Sequence, residues 1–518
     1  MNESKPKEAR QSRSRFMRLL RAIAPSLLFL VLLELVCQWW EVRDPPVVEL
    51  PQLPLDFAAK KPEEIRLLFY GGSTVAGQPL PELGFYEQMK YLFQHDVHSK
   101  EGKHFTLANF GMVGASSTYV IYRLAQTLKA SEGDVLVVFT AHNEFLSNVE
   151  LVRDEYAQLL AIREQFYRFA LMRRAQRYIN RYYIARQPEF VEGRNLQAFD
   201  RDSARFHKRI ELYRRNIETI VDMARETGMP LLLCTAPSNI LNWSPARDDG
   251  GFVASDSAYA IALDELRIGL GNGEVEQVKV QSLHLLQERP QDPLAMYYLG
   301  KAHYELGQFD EAQHWLEQAK ELDPFPFRAL NILNDIVREQ AGKPGVFVID
   351  LDRAFKDNAA HALPGVGLFA DNCHPSPAGN FLIARLLIER LGAMNLTELG
   401  ISLGTAERDN IFREKQFSND RSALKVEYFL TNARYAMKPP FFNFEQAKWN
   451  LEEVLKIDEN SWEAWANMAT VSFLTDDPVH GKEELARAYR LRGRRFDLDD
   501  RAVHPLLREA LERAGLGL

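Results

Sequence analysis

The sequence predicts an α/β protein in which a parallel sheet carries helices between its strands, with all-α modules added and one N-terminal transmembrane helix. Three observations predict it. Short apolar runs of strand length alternate with helical stretches, the pattern of a sheet covered on both faces. Two later regions contain helical patterns only. A basic tail runs directly into a long apolar segment. The 518 residues suggest about three domains. A hydrophobic share of 46% and a charged share of 26% exclude a disordered chain. With 71 acidic against 63 basic side chains the net charge is −8, which speaks against general nucleic-acid binding. Three cysteines (Cys37, Cys234, Cys373) are too few and too scattered for a disulfide scaffold or a Cys-built zinc site.

Residues 1–21 form a basic tail with seven Lys/Arg, and Glu3 and Glu8 are its acids. Ala22 to Trp40 follows with a single charge, Glu34, and its length suffices for a hydrocarbon core. Trp39 and Trp40 stand where an aromatic belt is expected. The positive-inside rule puts the tail in the cytoplasm and everything after the span outside it. The expected location is therefore the inner (cytoplasmic) membrane, single-pass, with the remainder on the periplasmic side. A cleavable signal peptide would have a shorter apolar core and a small-residue cleavage site, which WWEVRDPP lacks. A buried core helix fits the charge asymmetry poorly. Residues 41–60 hold Pro45, Pro46, Pro51 and Pro54 and read as an extended spacer.

The first sheet strand is expected at Ile65–Tyr70, stopping at Gly71-Gly72-Ser73. Two glycines ending a buried strand permit a sharp turn, and Ser73 then starts the next element. Alone, this is also the composition of a plain turn. Further strands are expected at Phe105–Phe110, Asp134–Thr140, Pro230–Thr235 and Val346–Asp350, with helices at Ser117–Lys129 and Phe206–Thr227. Functional loops of such a sheet gather at the carboxyl ends of its strands, and Ser73, Gly114 and Asn143 all lie just past such ends. Much later comes Asp371-Asn372-Cys373-His374-Pro375.

These spaced blocks resemble those of the SGNH (GDSL-type) hydrolase family, over roughly residues 60–245 and 343–395. The resemblance implies a flavodoxin-like, three-layer α/β/α fold. It implies Ser73 as nucleophile, His374 as base and Asp371 as its orienter, with Gly114 and Asn143 supplying the oxyanion hole. The residue types agree with the chemistry. A serine hydroxyl needs an imidazole to take its proton, and a carboxylate fixes the tautomer and stabilises the imidazolium. No metal or cofactor is implied. Two positions depart from the family pattern: Gly72 stands where an aspartate usually precedes the serine, and His142 where a glycine precedes the asparagine. Neither belongs to the expected triad or oxyanion hole. His142 reads either as lining the leaving-group side or as a packed, hydrogen-bonded histidine. Cys234 and Cys373 read as two free, buried thiols, with a bridge between them the alternative.

The hydrolase part is thus expected at 61–260 and 343–395, split by an insertion at 261–342. Within it, Pro293–Pro324 carries Leu299-Gly300, Tyr304, Gly307, Ala312, Leu316 and Ala319, spacings similar to a 34-residue tetratricopeptide (TPR) repeat. Val275–Glu288 and Phe327–Gln340 are expected to be helices beside it. Residues 396–518 repeat the theme loosely, with helices at Glu445–Ile457, Trp462–Phe473 and Glu483–Arg492. The TPR resemblance implies a protein partner; helical packing that shapes the cleft is the other reading. Ala161–Arg186 holds seven arginines among aromatics. It reads as a membrane-surface helix, a lid or glycan-binding face, or a solvated surface helix.

The resulting expectation is a membrane-anchored, extracytoplasmic serine esterase acting on an ester or acylated-glycan substrate. Its rivals are an O-acyltransferase acting on a cell-envelope glycan and a non-catalytic TPR assembly protein.

Overall fold

The computed structural model describes residues 24–39 (27 excepted), 60–145 (96, 100–102 and 129–131 excepted), 169, 171–172, 198–246, 258–394, 401–403, 421–438, 441–475, 477–493 and 505–513. The chain divides into two compact units. One comprises Met1–Ala58 with Leu151–Val191, and the other Ala59–Glu150 with Glu192–Leu518.

In the first unit the described part of residues 24–39 is helical. Leu28, Phe29, Val31, Leu32, Leu35, Val36 and Trp39 are exposed along it. Glu34 accepts hydrogen bonds from Gln38 Nε2 (2.8 Å) and the Leu171 N–H (2.9 Å). Among the described residues no helix is long and apolar enough to cross a membrane. Four residues of the expected span, Ala22, Ile23, Leu27 and Trp40, lie outside the described set, as do the basic tail and the spacer up to residue 59. The arginine-rich stretch Ala161–Arg186 also lies outside it, apart from Phe169, Leu171 and Met172.

The second unit begins with β1 (Glu64–Gly71), α1 (Ser73–Ala76), α2 (Phe85–His95), β2 (Val97–Ser99), β3 (His104–Asn109), α3 (Ser117–Thr127) and β4 (Val135–Phe139). Then come α4 (Ala204–Thr227) and β5 (Leu231–Cys234). Five consecutive helices follow: α5 (Ala258–Gly271), α6 (Val275–Glu288), α7 (Pro293–Glu305), α8 (Phe309–Glu321) and α9 (Asn331–Arg338). The chain returns to the sheet with β6 (Val346–Ile349), α10 (Leu351–Asp357), α11 (Pro377–Ala393) and β7 (Ile401–Leu403). It ends with α12 (Ser422–Ala436), α13 (Phe444–Ile457), α14 (Trp462–Leu474), α15 (Pro478–Arg492) and α16 (Leu506–Arg513).

The main sheet has five parallel strands in the order β3-β1-β4-β5-β6. Every residue of β1 and β4 is buried at the centre of the sheet; β4 is apolar throughout, while β1 also buries Glu64 and Arg66, which pair with each other. Strand order reverses between β1 and β4, and a crevice opens at the carboxyl ends of such a pair. Ser73 follows β1 and Asn143 follows β4, so both sit at that crevice. Antiparallel β2 and β7 form a separate pair that the sequence did not suggest. Helix ends follow local chemistry. Ser203 caps α4 by accepting from the Phe206 N–H, and Gly228, at φ 71°, ends it in the left-handed region.

One expected helix is much shorter in the structure. Phe327–Gln340 is helical only over Asn331–Arg338. The backbone of 327–329 is committed elsewhere: the Phe327 carbonyl accepts from Asn372 Nδ2 (3.0 Å), and the Ala329 N–H donates to His142 Nδ1 (3.1 Å). Tertiary partners outweigh a helical propensity worth only a few tenths of a kcal/mol per residue.

The helical modules lean on the sheet domain. Met296, Tyr297, Leu316 and Ala319 of α7 and α8 share a core with Ile240, Leu241 and Leu363. A side chain at Gly300 would meet Leu316 at 2.7 Å, so these two helices approach as closely as a glycine allows. Helices α12–α16 share a core with Leu83, Trp243 and Ala370. A short helical array exposes too much apolar surface to stand alone, and here the α/β domain covers it.

Candidate active site

Gly71 ends β1 beneath the site. A Cβ there would lie 2.1 Å from the Phe139 carbonyl oxygen, so only glycine lets the strand turn at this point. Ser73 opens α1, and it is 7% exposed. Asn109 holds the next loop to this turn: its Nδ2 donates to the Val75 carbonyl (2.7 Å) and its Oδ1 accepts from the Gly111 N–H (2.8 Å).

The 371–374 turn explains its own spacing. Asp371 Oδ1 accepts from the backbone N–H groups of Cys373 (2.9 Å) and His374 (2.7 Å), an Asx-type turn. That turn brings the His374 ring back onto the same carboxylate, with Nδ1 2.6 Å from Asp371 Oδ2. An ionised carboxylate only accepts, so Nδ1 carries the proton and Nε2 of the neutral ring is the acceptor. Nε2 lies 2.8 Å from Ser73 Oγ. The structure thus joins Ser73, His374 and Asp371 in one hydrogen-bonded line. Burial disfavours the imidazolium, but the Asp371 charge and hydrogen bond outweigh it and hold His374 well above its ordinary pKa.

Asn143 reaches the same place from β4. Its Nδ2 donates one N–H to the Ala115 carbonyl (3.1 Å), which leaves the amide a second N–H to donate. Ala141, at φ 145°, lies in a region that L residues rarely adopt and turns the chain sharply just before it. A Cβ on Gly72 would stand 2.9 Å from Asn143 Nδ2 and 3.3 Å from the Ala115 oxygen. Gly72 therefore packs closely against the Asn143 amide. Gly114, at φ 73°, precedes Ala115 on the same loop. A narrow cavity of about 10 Å³ is lined by Gly72, Ser73, Thr74, Ala115, His142 and Asn143, among others.

His142 is packed and hydrogen-bonded. Burial pushes its pKa down to about 3, helped by the neighbouring His374, so the ring is neutral. Its Nδ1 accepts from Ala329, so the proton resides on Nε2. All three cysteines are free and buried. Burial raises the Cys234 thiol to about 12, and raises Cys373 as well. Asp371, Cys373 and His374 offer donor atoms within 4.8 Å of one another. Two of these donors are already hydrogen-bonded to each other.

The sequence reading missed the residues that hold the Asp371–His374 turn in place. Asn239, in the loop after β5, donates from Nδ2 to the Asp371 carbonyl (3.0 Å) and from its backbone N–H to the Asn372 carbonyl (3.0 Å). Gln446 Oε1 accepts from the same Nδ2 (2.9 Å). Asn450 donates to the Ala370 carbonyl (2.9 Å), and the Tyr428 hydroxyl donates to the Pro375 carbonyl. A post-strand Thr-Ala-Pro-Ser-Asn loop hints at Asn239; nothing in the chain flags the three residues from α12 and α13. Near the insertion's exit, buried Arg328 pairs with Asp323 (3.3 Å) and donates to the carbonyls of Asn239 (3.0 Å) and Trp243 (2.6 Å). Both modules thus grip the loops of the site.

Residues 293–326 match the family model of the tetratricopeptide repeat. No curated protein matches the chain. Solved structures that align with it include a lipase/acylhydrolase from Enterococcus faecalis, at 14% identity over 66% of this chain and 100% of that one (TM-score 0.29). An acetylxylan esterase from Geobacillus stearothermophilus aligns at 12% identity over 63% and 94% (TM-score 0.30). An alpha/beta hydrolase enzyme from the metagenome of Lake Arreo, Spain, aligns at 12% identity over 65% and 98% (TM-score 0.30). Likenesses this slight carry no argument about activity, which stands or falls with the site.

Proposed function

We propose that this chain is a serine esterase of the SGNH type, anchored to a membrane by its N-terminal segment with the active site on the extracytoplasmic side. The observation that carries the catalytic reading is the line Ser73 Oγ–His374 Nε2 at 2.8 Å and His374 Nδ1–Asp371 Oδ2 at 2.6 Å. Ser73 Oγ attacks the ester carbonyl as His374 Nε2 takes its proton, and Asp371 holds the Nδ1–H and stabilises the imidazolium. The charge developing on the carbonyl oxygen falls to the Asn143 amide and the backbone N–H groups of Gly114 and Ser73. One such donor is worth about 2.7–4 kcal/mol in a water-poor site. His374 then passes the proton to the departing alcohol, and water releases the acyl group by the same route reversed. The cavity beside Ser73 holds only about 10 Å³, far below the ~300–1,000 Å³ of drug-sized ligand sites, which favours a short acyl group.

The anchor reading is supported by the basic tail, the apolar run to Trp40 and the exposed apolar side chains of 28–39. The TPR match supports a protein partner for the insertion. A serine-directed fluorophosphonate tests the catalytic reading. Wild type is labelled at Ser73 and Ser73→Ala is not; equal labelling of the two overturns it. Detergent-dependent extraction that disappears on deleting residues 1–40 tests the anchor.

A further inference from the structure

Glu144 follows Asn143 directly, and no step above uses it. It is 5% exposed, and its carboxylate is the meeting point of the two loops that flank the oxyanion site. Oε1 accepts from the Ser117 N–H at 2.7 Å and from Thr140 Oγ1 at 3.2 Å, and Oε2 accepts from Ser117 Oγ at 2.8 Å. Ser117 is the first residue of α3, and the capping position before it, Ser116, makes no side-chain cap. Glu144 supplies that cap from across the crevice. Asn216 of α4 backs the contact, donating from Nδ2 to Ser117 Oγ and to Thr118 Oγ1, both at 2.9 Å.

We infer that Glu144 is the positioning residue of the oxyanion hole, a carboxylate that ties the turn bearing Asn143 to the loop bearing Gly114. This rests on the esterase reading above. Asn143 is one residue from Glu144 and Gly114 is three residues from Ser117, so a clamp between Glu144 and Ser117 sets the separation of the two donors. A local serine or threonine cap would satisfy the α3 N-terminus at far lower cost. Burying a carboxylate is costly unless it is fully hydrogen-bonded. Here burial pushes the Glu144 carboxyl up to about 7, against the Ser117 and Thr140 hydrogen bonds and the Arg209 charge. What the carboxylate adds over a local cap is the link between the two loops. Donors aimed at a developing oxyanion lose their effect with small displacements, which lowers kcat and leaves substrate binding intact.

The test is steady-state kinetics of full-length Glu144→Gln on a short-chain ester, with kcat expressed per fluorophosphonate-titrated serine. The amide keeps the size and one acceptor but loses the acceptor facing Ser117 Oγ. The expected result is a fall in kcat of about 10–100-fold with KM changed less than about two-fold. Unchanged kcat per titrated site, or a loss that lies wholly in KM or in the number of titratable sites, overturns the inference. Ser117→Ala removes only the hydroxyl link and decides the matter if Glu144→Gln does not fold; its expected loss is about 3–10-fold in kcat. A wild-type protein that neither turns over ester nor reacts at Ser73 sinks the esterase reading itself. Normal wild-type turnover with both variants unimpaired sinks only the role of Glu144.

Discussion

His374 Nε2 stands 2.8 Å from Ser73 Oγ, although 301 positions separate the two residues in the chain. Ser73 comes from the end of β1 and His374 from the turn before α11. The contact therefore exists only when β1 and the 371–374 turn are both in place. Removing the hydroxyl deletes the bond-forming atom and little else. Ser73→Ala is expected to lower kcat by about 10⁴–10⁶-fold while thermal unfolding stays close to wild type. Residual turnover near the wild-type rate in purified protein would place the nucleophile elsewhere.

The pH dependence follows from the Asp371–His374 pair. Asp371 holds His374 well above the ordinary histidine value of 6.5. Activity needs the neutral ring, so the rate should climb with pH and its acid limb should lie above 6.5. Stability runs the other way. A histidine whose folded pKa is raised contributes fully below the unfolded value and loses that contribution as pH rises through the folded one. Asp371→Asn should shift the acid limb downward and cost about 10⁴-fold in kcat, read from a pH–rate profile.

Gly72→Asp, which installs the aspartate carried before the serine in the family the sequence resembles, is expected to harm this protein. The new Cβ would lie 2.9 Å from Asn143 Nδ2 and push the amide out of place. Loss of one oxyanion donor predicts a fall in kcat of about 10²–10³-fold with KM little changed. A variant as fast as wild type would mean that Asn143 is not held where this contact puts it.

His142→Gly should act on stability. It removes the acceptor of the buried Ala329 N–H and opens a void beneath the insertion's exit segment. The expected loss is about 1–3 kcal/mol in urea unfolding. Acid tolerance should improve in relative terms. A buried neutral histidine with pKa about 3 sheds its stabilising contribution as pH falls below 6.5, and glycine has nothing to protonate.

Asn450→Ala tests whether the C-terminal helices support the catalytic turn. It orphans the buried Ala370 carbonyl, the residue just before Asp371. A cost of about 1–3 kcal/mol is expected. The turn should also loosen, so kcat should fall before the protein unfolds, seen as activity lost at temperatures where circular dichroism is unchanged.

Much of this molecule was legible in one dimension. Each of the five sheet strands lies within a residue or so of its expected place, because strands of a covered sheet are mostly apolar. Asp371 and His374 were legible because an Asx turn and an imidazole contact demand one fixed spacing. Asn143 was legible as the polar residue ending an apolar run. Phe327–Ala329 was not, since its helical composition says nothing about His142 or Asn372 waiting to take its backbone groups. Asn239, Gln446, Asn450 and Tyr428 were invisible for the same reason. A buried amide or hydroxyl identifies itself only by its partner, and these partners lie up to 207 residues away.

By itself, then, the sequence determined the element types, the run of helices between β5 and β6 and the fixed spacing of Asp371 and His374. Periodicity, apolar content and short-range turn geometry depend on neighbours in the chain, so they can be read there. Tertiary structure alone decided that Gly72 packs against Asn143, that His142 anchors the insertion and that Glu144 clamps two loops together. It also decided that both helical modules grip the loops of the site. Each of these is a contact between segments brought together only when the sheet closes and its crevice forms.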